Sequence, residues 1–355
     1  MEFLRPLELK NLSLKNRVLR APFQTSDCGE GGTVPESKAD FYAALARNQI
    51  GLIVTGQMAV LPSGIVGDYQ DMMFYARHVE EQKKIPLAVH REGGKIVAQV
   101  NYAGAKASRL TTRGLAPLAP AAFTFGAEQV PSREATGEEV HAVADAFALA
   151  VARTKAAGYD GAVIHAAHSY FISEFLNPYY NHRTDEFGGS RENRFRLLGE
   201  VLEKAREAAG ADYPILVKME CNAAQNDEAW AKDVAYFANQ SAERGAVAVE
   251  FSGCDYIPLG FQKKRLFYLE RIAALKKEIS VPVSLEGGVR TLAEMERVMD
   301  AGIDLVGIGR PLLCEPDLIP RLLGGQAEAA CTNCTQCFAQ FRKDGRYCVQ
   351  HVLKS

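Results

Sequence analysis

Short apolar runs rich in β-branched residues recur along the chain, and most are hydrophobic at nearly every position. They lie at Val18–Phe23, Gly51–Thr55, Ile96–Val100, Ala162–His165, Ile215–Met219, Ala246–Phe251, Val281–Leu285 and Leu305–Ile308. Continuous rather than alternating hydrophobicity marks strands buried on both faces, as in a parallel sheet. Helical patterns separate most of these runs. The clearest begins at Thr136, where Thr136 and Glu139 have capping-box spacing. Val140, Val143, Phe147 and Val151 follow at helical period, and Gly158 marks the stop. Eight such strands with intervening helices predict an α/β fold, a (β/α)8 barrel. A doubly wound open sheet is the alternative, weakened because no Gly-x-Gly-x-x-Gly follows an early strand.

Ahead of the first run, Leu7–Leu14 alternates apolar and polar residues around Lys10-Asn11. This predicts a short hairpin that closes the N-terminal mouth of the barrel. Residues 56–91 and 102–135 are long insertions after the second and third strands. Both are expected at the C-terminal face, where barrel loops build active sites and enclose substrate. The barrel is expected to occupy residues 1–325, with residues 326–355 as a Cys-rich extension packed on it.

Composition narrows the function classes. In 355 residues, 47% hydrophobic and 24% charged residues suit a globular protein with a large core. The 41 basic and 43 acidic residues nearly cancel and form no like-charged block, so neither nucleic acid nor a membrane surface is an expected partner. The N-terminus lacks the apolar core of a signal peptide, and no apolar run approaches the length of a membrane span. The expected location is the cytoplasm. Cys28, Cys221, Cys254 and Cys314 are scattered, whereas Cys331, Cys334, Cys337 and Cys348 crowd the last 25 residues. In a reducing compartment such a cluster points to metal or redox chemistry before disulfides.

The segment richest in chemistry is Gly161–Arg196. A buried strand ends in His165, and His168 and Tyr170 follow. Two imidazoles can aim hydrogen bonds at one oxygen, and a nearby phenol can deliver a proton. The bland alternative is three satisfied interior residues. A zinc-protease reading fails on the spacing and on the missing Glu between the histidines. Farther along, the seventh and eighth strands end in Gly287-Gly288 and Gly309-Arg310. Barrels often bind phosphate there, with glycines admitting the backbone N–H groups and an Arg supplying charge. Ordinary turns are the competing explanation.

The segment resembles the old yellow enzyme family of FMN-dependent ene-reductases. The matches are His165, His168, Tyr170, Phe175-Leu176, Pro178, Asn181, Arg183, Asp185, Gly188-Gly189-Ser190, Asn193 and Arg194. Ser169 stands where the family usually has Gly, and Phe187 where it has Tyr. The resemblance extends over nearly the whole chain. Asn16-Arg17 and Ala21-Pro22 resemble the first strand, which implies that Ala21, Pro22, Phe23, Gln24 and Thr25 pass beside the flavin. Phe41-Tyr42 and Gly51–Gly56 resemble the second helix–strand unit, placing Gly56 near the cofactor. Gln99, whose amide offers donor and acceptor together, is implied at the pyrimidine edge of the flavin. Lys218, which alone would read as a surface lysine, is implied against the N1/O2 edge, where a cation stabilises the reduced flavin. Gly287, Gly288, Gly309 and Arg310 are implied at the FMN phosphate, with Arg290 a further candidate and Ser252-Gly253 completing the mouth. Tyr102 and Ala105 replace the usual His and Arg.

The tail gives Cys-x-x-Cys-x-x-Cys, ten residues, then Cys. Cys331, Cys334, Cys337 and Cys348 could ligate a 4Fe–4S iron–sulfur cluster. The pattern resembles the iron–sulfur branch of the same family, typified by trimethylamine dehydrogenase and 2,4-dienoyl-CoA reductase, which add a second flavin- and nucleotide-binding region. The sequence ends at Ser355 without one, so a cluster is expected to need an outside electron-transfer partner. Zinc and free thiols are the alternatives for these cysteines.

The resemblance therefore implies an FMN enzyme that reduces an activated C=C bond of a small-molecule substrate, with NAD(P)H as co-substrate. His165 and His168 would bind the substrate oxygen and Tyr170 would protonate carbon. Two other functions stay open: an amine dehydrogenase or demethylase that passes electrons through the tail cluster, and a non-enzymatic flavin electron-transfer barrel. A flavin-free aldolase or isomerase is disfavoured, since it would need a Schiff-base Lys, for which Lys218 is the only obvious candidate, or metal carboxylates at strand ends. The sequence leaves the substrate, the choice of nicotinamide and any homo-oligomer undecided.

Overall fold

The computed structural model describes residues 1–108, 112–125, 130–223, 227–339 and 348. Strands β1 (Leu7–Leu9) and β2 (Leu12–Leu14) pair antiparallel as the expected hairpin. Asn11 turns it with φ 61°. The barrel strands are β3 (Val18–Arg20) and β4 (Leu52–Val54). Two short strands, β5 (Met58–Ala59) and β6 (Asp71–Met72), precede β7 (Ile96–Asn101). After β7, β8 (Leu118–Ala119) pairs with β9 (Arg133–Glu134) outside the barrel. The barrel continues with β10 (Gly161–Ala166), β11 (Ile215–Glu220), β12 (Ala246–Ser252), β13 (Val283–Glu286) and β14 (Leu305–Ile308).

All barrel pairs are parallel. The order runs β10-β11-β12-β13-β14-β3-β4-β7, and pairing of β7 with β10 closes the ring. Closure rules out the open sheet. Two boundaries differ from expectation by more than one residue, and for one reason. β3 stops at Arg20 and β13 starts only at Val283, because Pro22 and Pro282 offer no N–H to a ladder. The helix expected from Thr136 runs Gly137–Ala156 with both halves of its capping box formed, and Gly158 follows at φ 93°.

The period of two along each strand divides the barrel into layers. Leu19, Leu52, Val97, Val163, Leu216 and Leu305 form one apolar cluster with Leu9, Leu12 and Leu14 of the hairpin. The hairpin thus plugs the N-terminal mouth. Two residues farther along, the same inward faces carry Gln99, His165, Lys218 and, across the register, Glu250. The alternate residues, among them Ile164, Val217, Val249 and Leu285, join the core shared with the helices. Polar chemistry is therefore confined to the C-terminal layer. Among the described residues, no helix is long and apolar enough to cross a membrane.

Candidate active site

Above that polar layer lies a cavity with about 1150 Å³ of empty space, its open mouth included. Its wall includes His165, His168, Tyr170, Gln99 and Lys218. Ala21, Pro22, Phe23 and Gln24 line it from the β3 loop, and Gly287, Gly288, Gly309 and Arg310 from the ends of β13 and β14. Ser252 lines it too.

Two expected cofactor residues lie outside this wall. The Thr25 hydroxyl donates to Asp27 Oδ1 at 2.6 Å, and Asp27 in turn accepts from the buried ammonium of Lys38, also at 2.6 Å. Thr25 thus braces the loop rather than facing the cavity. Gly56 N–H donates to Tyr42 Oη at 3.2 Å, and a Cβ at Gly56 would stand 2.9 Å from the carbonyl oxygen of Phe23. Gly56 lets the β3 and β4 loops touch. Arg290 is likewise absent from the wall, its guanidinium donating to the Ala329 carbonyl at 2.7 Å.

His165 ends β10 in register with Lys218. The backbone N–H of Ala167 donates to His165 Nδ1 at 3.2 Å, which assigns the ring proton to Nε2. The chain then turns through left-handed residues, His168 at φ 61° and Ser169 at φ 52°. That turn brings the His168 ring to 5.2 Å and the Tyr170 ring to 5.0 Å from the His165 ring. The carboxylate of Glu220 holds the turn, accepting from Ser173 Oγ at 2.9 Å and from the backbone N–H groups of His168 and Ser169. Lys106 donates to the His168 carbonyl at 2.6 Å.

Burial lowers both imidazole pKa values well below the ordinary range. For His165 the neighbours His168, Lys218 and Lys106 act in the same direction, and for His168 the two lysines do. Both rings are therefore neutral donors at neutral pH. The other ionic feature lies at the C-terminal ends of β11, β12 and β13. Lys218 is ion-paired with Glu286, and Glu250 lies 3.6 Å from the same ammonium. Burial, followed by repulsion from Glu286, raises the Glu250 pKa well above the usual carboxyl range.

Four polar wall residues were not singled out from the sequence: Gln57, Tyr256, Glu286 and Asn333. Glu286 ends β13, one residue beyond the expected strand Val281–Leu285, so only the extension of that strand would have exposed it. Gln57 and Asn333 belong to irregular segments whose direction no period dictates.

The C-terminal cysteines converge in part. Cys331, Cys334, Cys337 and Cys348 line one small pocket with Arg310, which also lines the large cavity. Among the described residues, no three His, Cys, Asp or Glu side chains are grouped closely enough to hold a metal ion. Residues 340–347, between the third and fourth cysteines, lie outside the described residues. The segment before the cysteines is tied to the barrel by Ala329 N–H, which donates to the Arg290 carbonyl at 2.9 Å.

Comparison with known proteins gives a consistent result. Residues 2–328 match the family model of the NADH:flavin oxidoreductase / NADH oxidase family. The NADPH dehydrogenase of Geobacillus thermodenitrificans is 30% identical over 316 residues, covering 88% of this chain and 90% of that protein. The NADH oxidase of Thermoanaerobacter brockii is also 30% identical over 316 residues, which are 86% of this chain but only 48% of that protein. The chain thus spans about half the length of that relative. The structure of an old yellow enzyme homologue from Zymomonas mobilis superimposes with a TM-score of 0.80. It covers 94% of this chain and 96% of its own at 24% identity, a likeness of fold.

Proposed function

The chain belongs to the NADH:flavin oxidoreductase / NADH oxidase family, and we propose that its reaction is reduction of a C=C bond activated by a carbonyl, nitro or thioester group. The family implies FMN and a nicotinamide, and the cavity fits FMN on its own chemistry. Gln99 is 3% exposed and its Oε1 has no hydrogen-bond partner among the described residues, as an amide awaiting a ring N–H would be. Asn333, also 3% exposed, has no partner for Nδ2 among the described residues, at the end where Gly309 and Arg310 open. Gln99 and Lys218 would hold the ring system. Gly288, Gly309, Arg310 and Asn333 would hold the phosphate.

When bound, FMN supplies the two-electron relay, taking hydride from a nicotinamide and giving it to a substrate carbon. His165 and His168 donate to the substrate oxygen as negative charge develops on it. Tyr170 gives a proton to the neighbouring carbon and regains one from solvent. The observation carrying this reading is the convergence of two neutral imidazoles and one phenol on a single wall.

Anaerobic stopped-flow kinetics test it. Tyr170→Phe is expected to slow reoxidation of reduced enzyme by an enone by ~10²-fold or more, while reduction by nicotinamide is spared. If both half-reactions kept their rates, Tyr170 would not be the acid.

The shared pocket of Cys331, Cys334, Cys337 and Cys348 favours a second reading. Residues 326–355 would be an extension of the 1–325 barrel that holds an iron–sulfur cluster, as in the trimethylamine dehydrogenase and 2,4-dienoyl-CoA reductase branch. Electrons would then leave through the tail to a partner, and an amine rather than a nicotinamide would bleach the flavin. Anaerobically purified protein distinguishes the two by its iron, zinc and acid-labile sulfide content and by the donor that reduces it.

A further inference from the structure

Gln57 follows the end of β4 and is 6% exposed. Every polar atom of its amide is engaged. Its Oε1 accepts from Asn101 Nδ2 at 2.6 Å. Its Nε2 donates to Gln24 Oε1 at 2.8 Å and to Tyr170 Oη at 2.9 Å. The backbone fixes it as well, because the Gln57 carbonyl accepts from Gln70 Nε2 at 3.1 Å. Gln70 is itself oriented by Val66 N–H, which donates to Gln70 Oε1 at 2.7 Å.

The polarity of this relay matters. An amide nitrogen donates and does not accept, so toward Gln57 the phenol of Tyr170 must act as acceptor. The phenolic hydrogen is therefore excluded from that side and must be directed elsewhere. A donor on the phenol oxygen also stabilises the charge left when the proton departs.

We propose that Gln57 is a positioning residue for proton transfer: its amide orients the Tyr170 hydroxyl so that the hydrogen faces substrate, and it supports the phenolate after transfer. The inference rests on the reading of Tyr170 as the proton donor. Gln24, which accepts the other Nε2 hydrogen, fixes the amide from the loop after β3.

Two near-isosteric variants test this in the FMN-loaded enzyme. Gln57→Met removes the donor, and Gln57→Glu replaces it with an acceptor that captures the phenolic hydrogen. Both are expected to slow enone-dependent reoxidation about tenfold or more, with nicotinamide-dependent reduction within about twofold of wild type. In a Tyr170→Phe background neither should add a further loss. An equal loss in both backgrounds or in both half-reactions would mean that Gln57 is structural, and the proposal would fall. A fully active Gln57→Glu would show the opposite amide polarity and would also overturn it.

A second readout separates this proposal from the role of Tyr170. In protein carrying tyrosine labelled with ¹³C at Cζ, the Tyr170 resonance, assigned by its loss in Tyr170→Phe, can be titrated with alkali. Its midpoint should rise in Gln57→Met because the phenolate loses a donor. If Tyr170→Phe left reoxidation intact, the acid assignment would fail, yet a raised midpoint would still support the Gln57–Tyr170 relay. An unchanged midpoint would overturn the relay itself.

Discussion

Lys218 at the end of β11 is ion-paired with Glu286 at the end of β13, so the cation expected beside the flavin is already partly neutralised by the protein. Glu250, 3.6 Å from the same ammonium, adds a second acid. A positive charge at the flavin favours the reduced, anionic form, and a carboxylate opposes it. Glu286→Gln should therefore raise the FMN midpoint potential, and Lys218→Met should lower it. A change of ~1–2 kcal/mol corresponds to roughly 20–40 mV for a two-electron couple. Dye-equilibrated spectroelectrochemistry reads the shift, and a potential that ignores both substitutions would separate this cluster from the flavin.

The imidazole pair makes a different prediction about pH. Burial lowers the pKa of His165 and of His168, so neither ring gains a proton between about pH 6 and 8. Binding of a phenolic ligand across that window should follow the ligand's own ionisation and show no histidine step. His165→Ala and His168→Ala should each weaken binding by roughly 1.5–3 kcal/mol if the charged form of the ligand is bound. Charge-transfer titration of the flavin measures both quantities. A step near the ordinary histidine pKa would contradict the neutral pair.

How much of this site was legible in advance depended on periodicity. Near-continuous apolar runs separated by helical patterns made the barrel readable, and His165, at the polar end of one run, came with it, whereas Gln99 and Lys218 were placed by the family resemblance. The hairpin was readable because Leu9, Leu12 and Leu14 alternate with polar residues. Thr25 and Gly56 were expected at the cofactor, but they lie one layer behind the wall, bracing the loop that carries Gln24. Sequence adjacency to a strand end does not say which way a loop residue points. Gln57 and Asn333 were invisible for the same reason, since their orientation comes from tertiary hydrogen bonds or a left-handed turn, as at Asn333 with φ 56°.

Glu220 links the stability of the fold to the catalytic turn. Burial pushes its pKa up to about 7, against hydrogen bonds from Ser173, His168 and Ser169 that pull it down. The folded state thus holds a proton that the unfolded chain releases near pH 4.5. Stability from this group is complete below that pH and is lost as pH rises toward about 7. The span corresponds to on the order of 3 kcal/mol at most. Glu220→Gln should flatten the decline of unfolding free energy between those pH values, as read by urea denaturation. Parallel wild-type and variant curves would remove Glu220 from the pH dependence.

Gly288 tests the cofactor cradle with an internal control. It has φ 75°, and a Cβ there would stand 2.6 Å from the Phe267 ring and 2.8 Å from the Leu266 backbone nitrogen. Gly302 has nearly the same φ, 77°, with nothing within 4 Å of the added carbon. Both Gly→Ala changes force an L-residue into the left-handed region at ~1 kcal/mol or more. Only Gly288→Ala also displaces the segment that lines the cavity beside Gly287. Gly302→Ala should therefore lower the melting temperature while leaving FMN affinity intact. Gly288→Ala should lower both, with FMN binding weakened at least tenfold, as measured by quenching of flavin fluorescence on titrating apoprotein. If both variants bound FMN equally well, the phosphate would not depend on this turn, and Gly309, Arg310 and Asn333 would have to hold it alone.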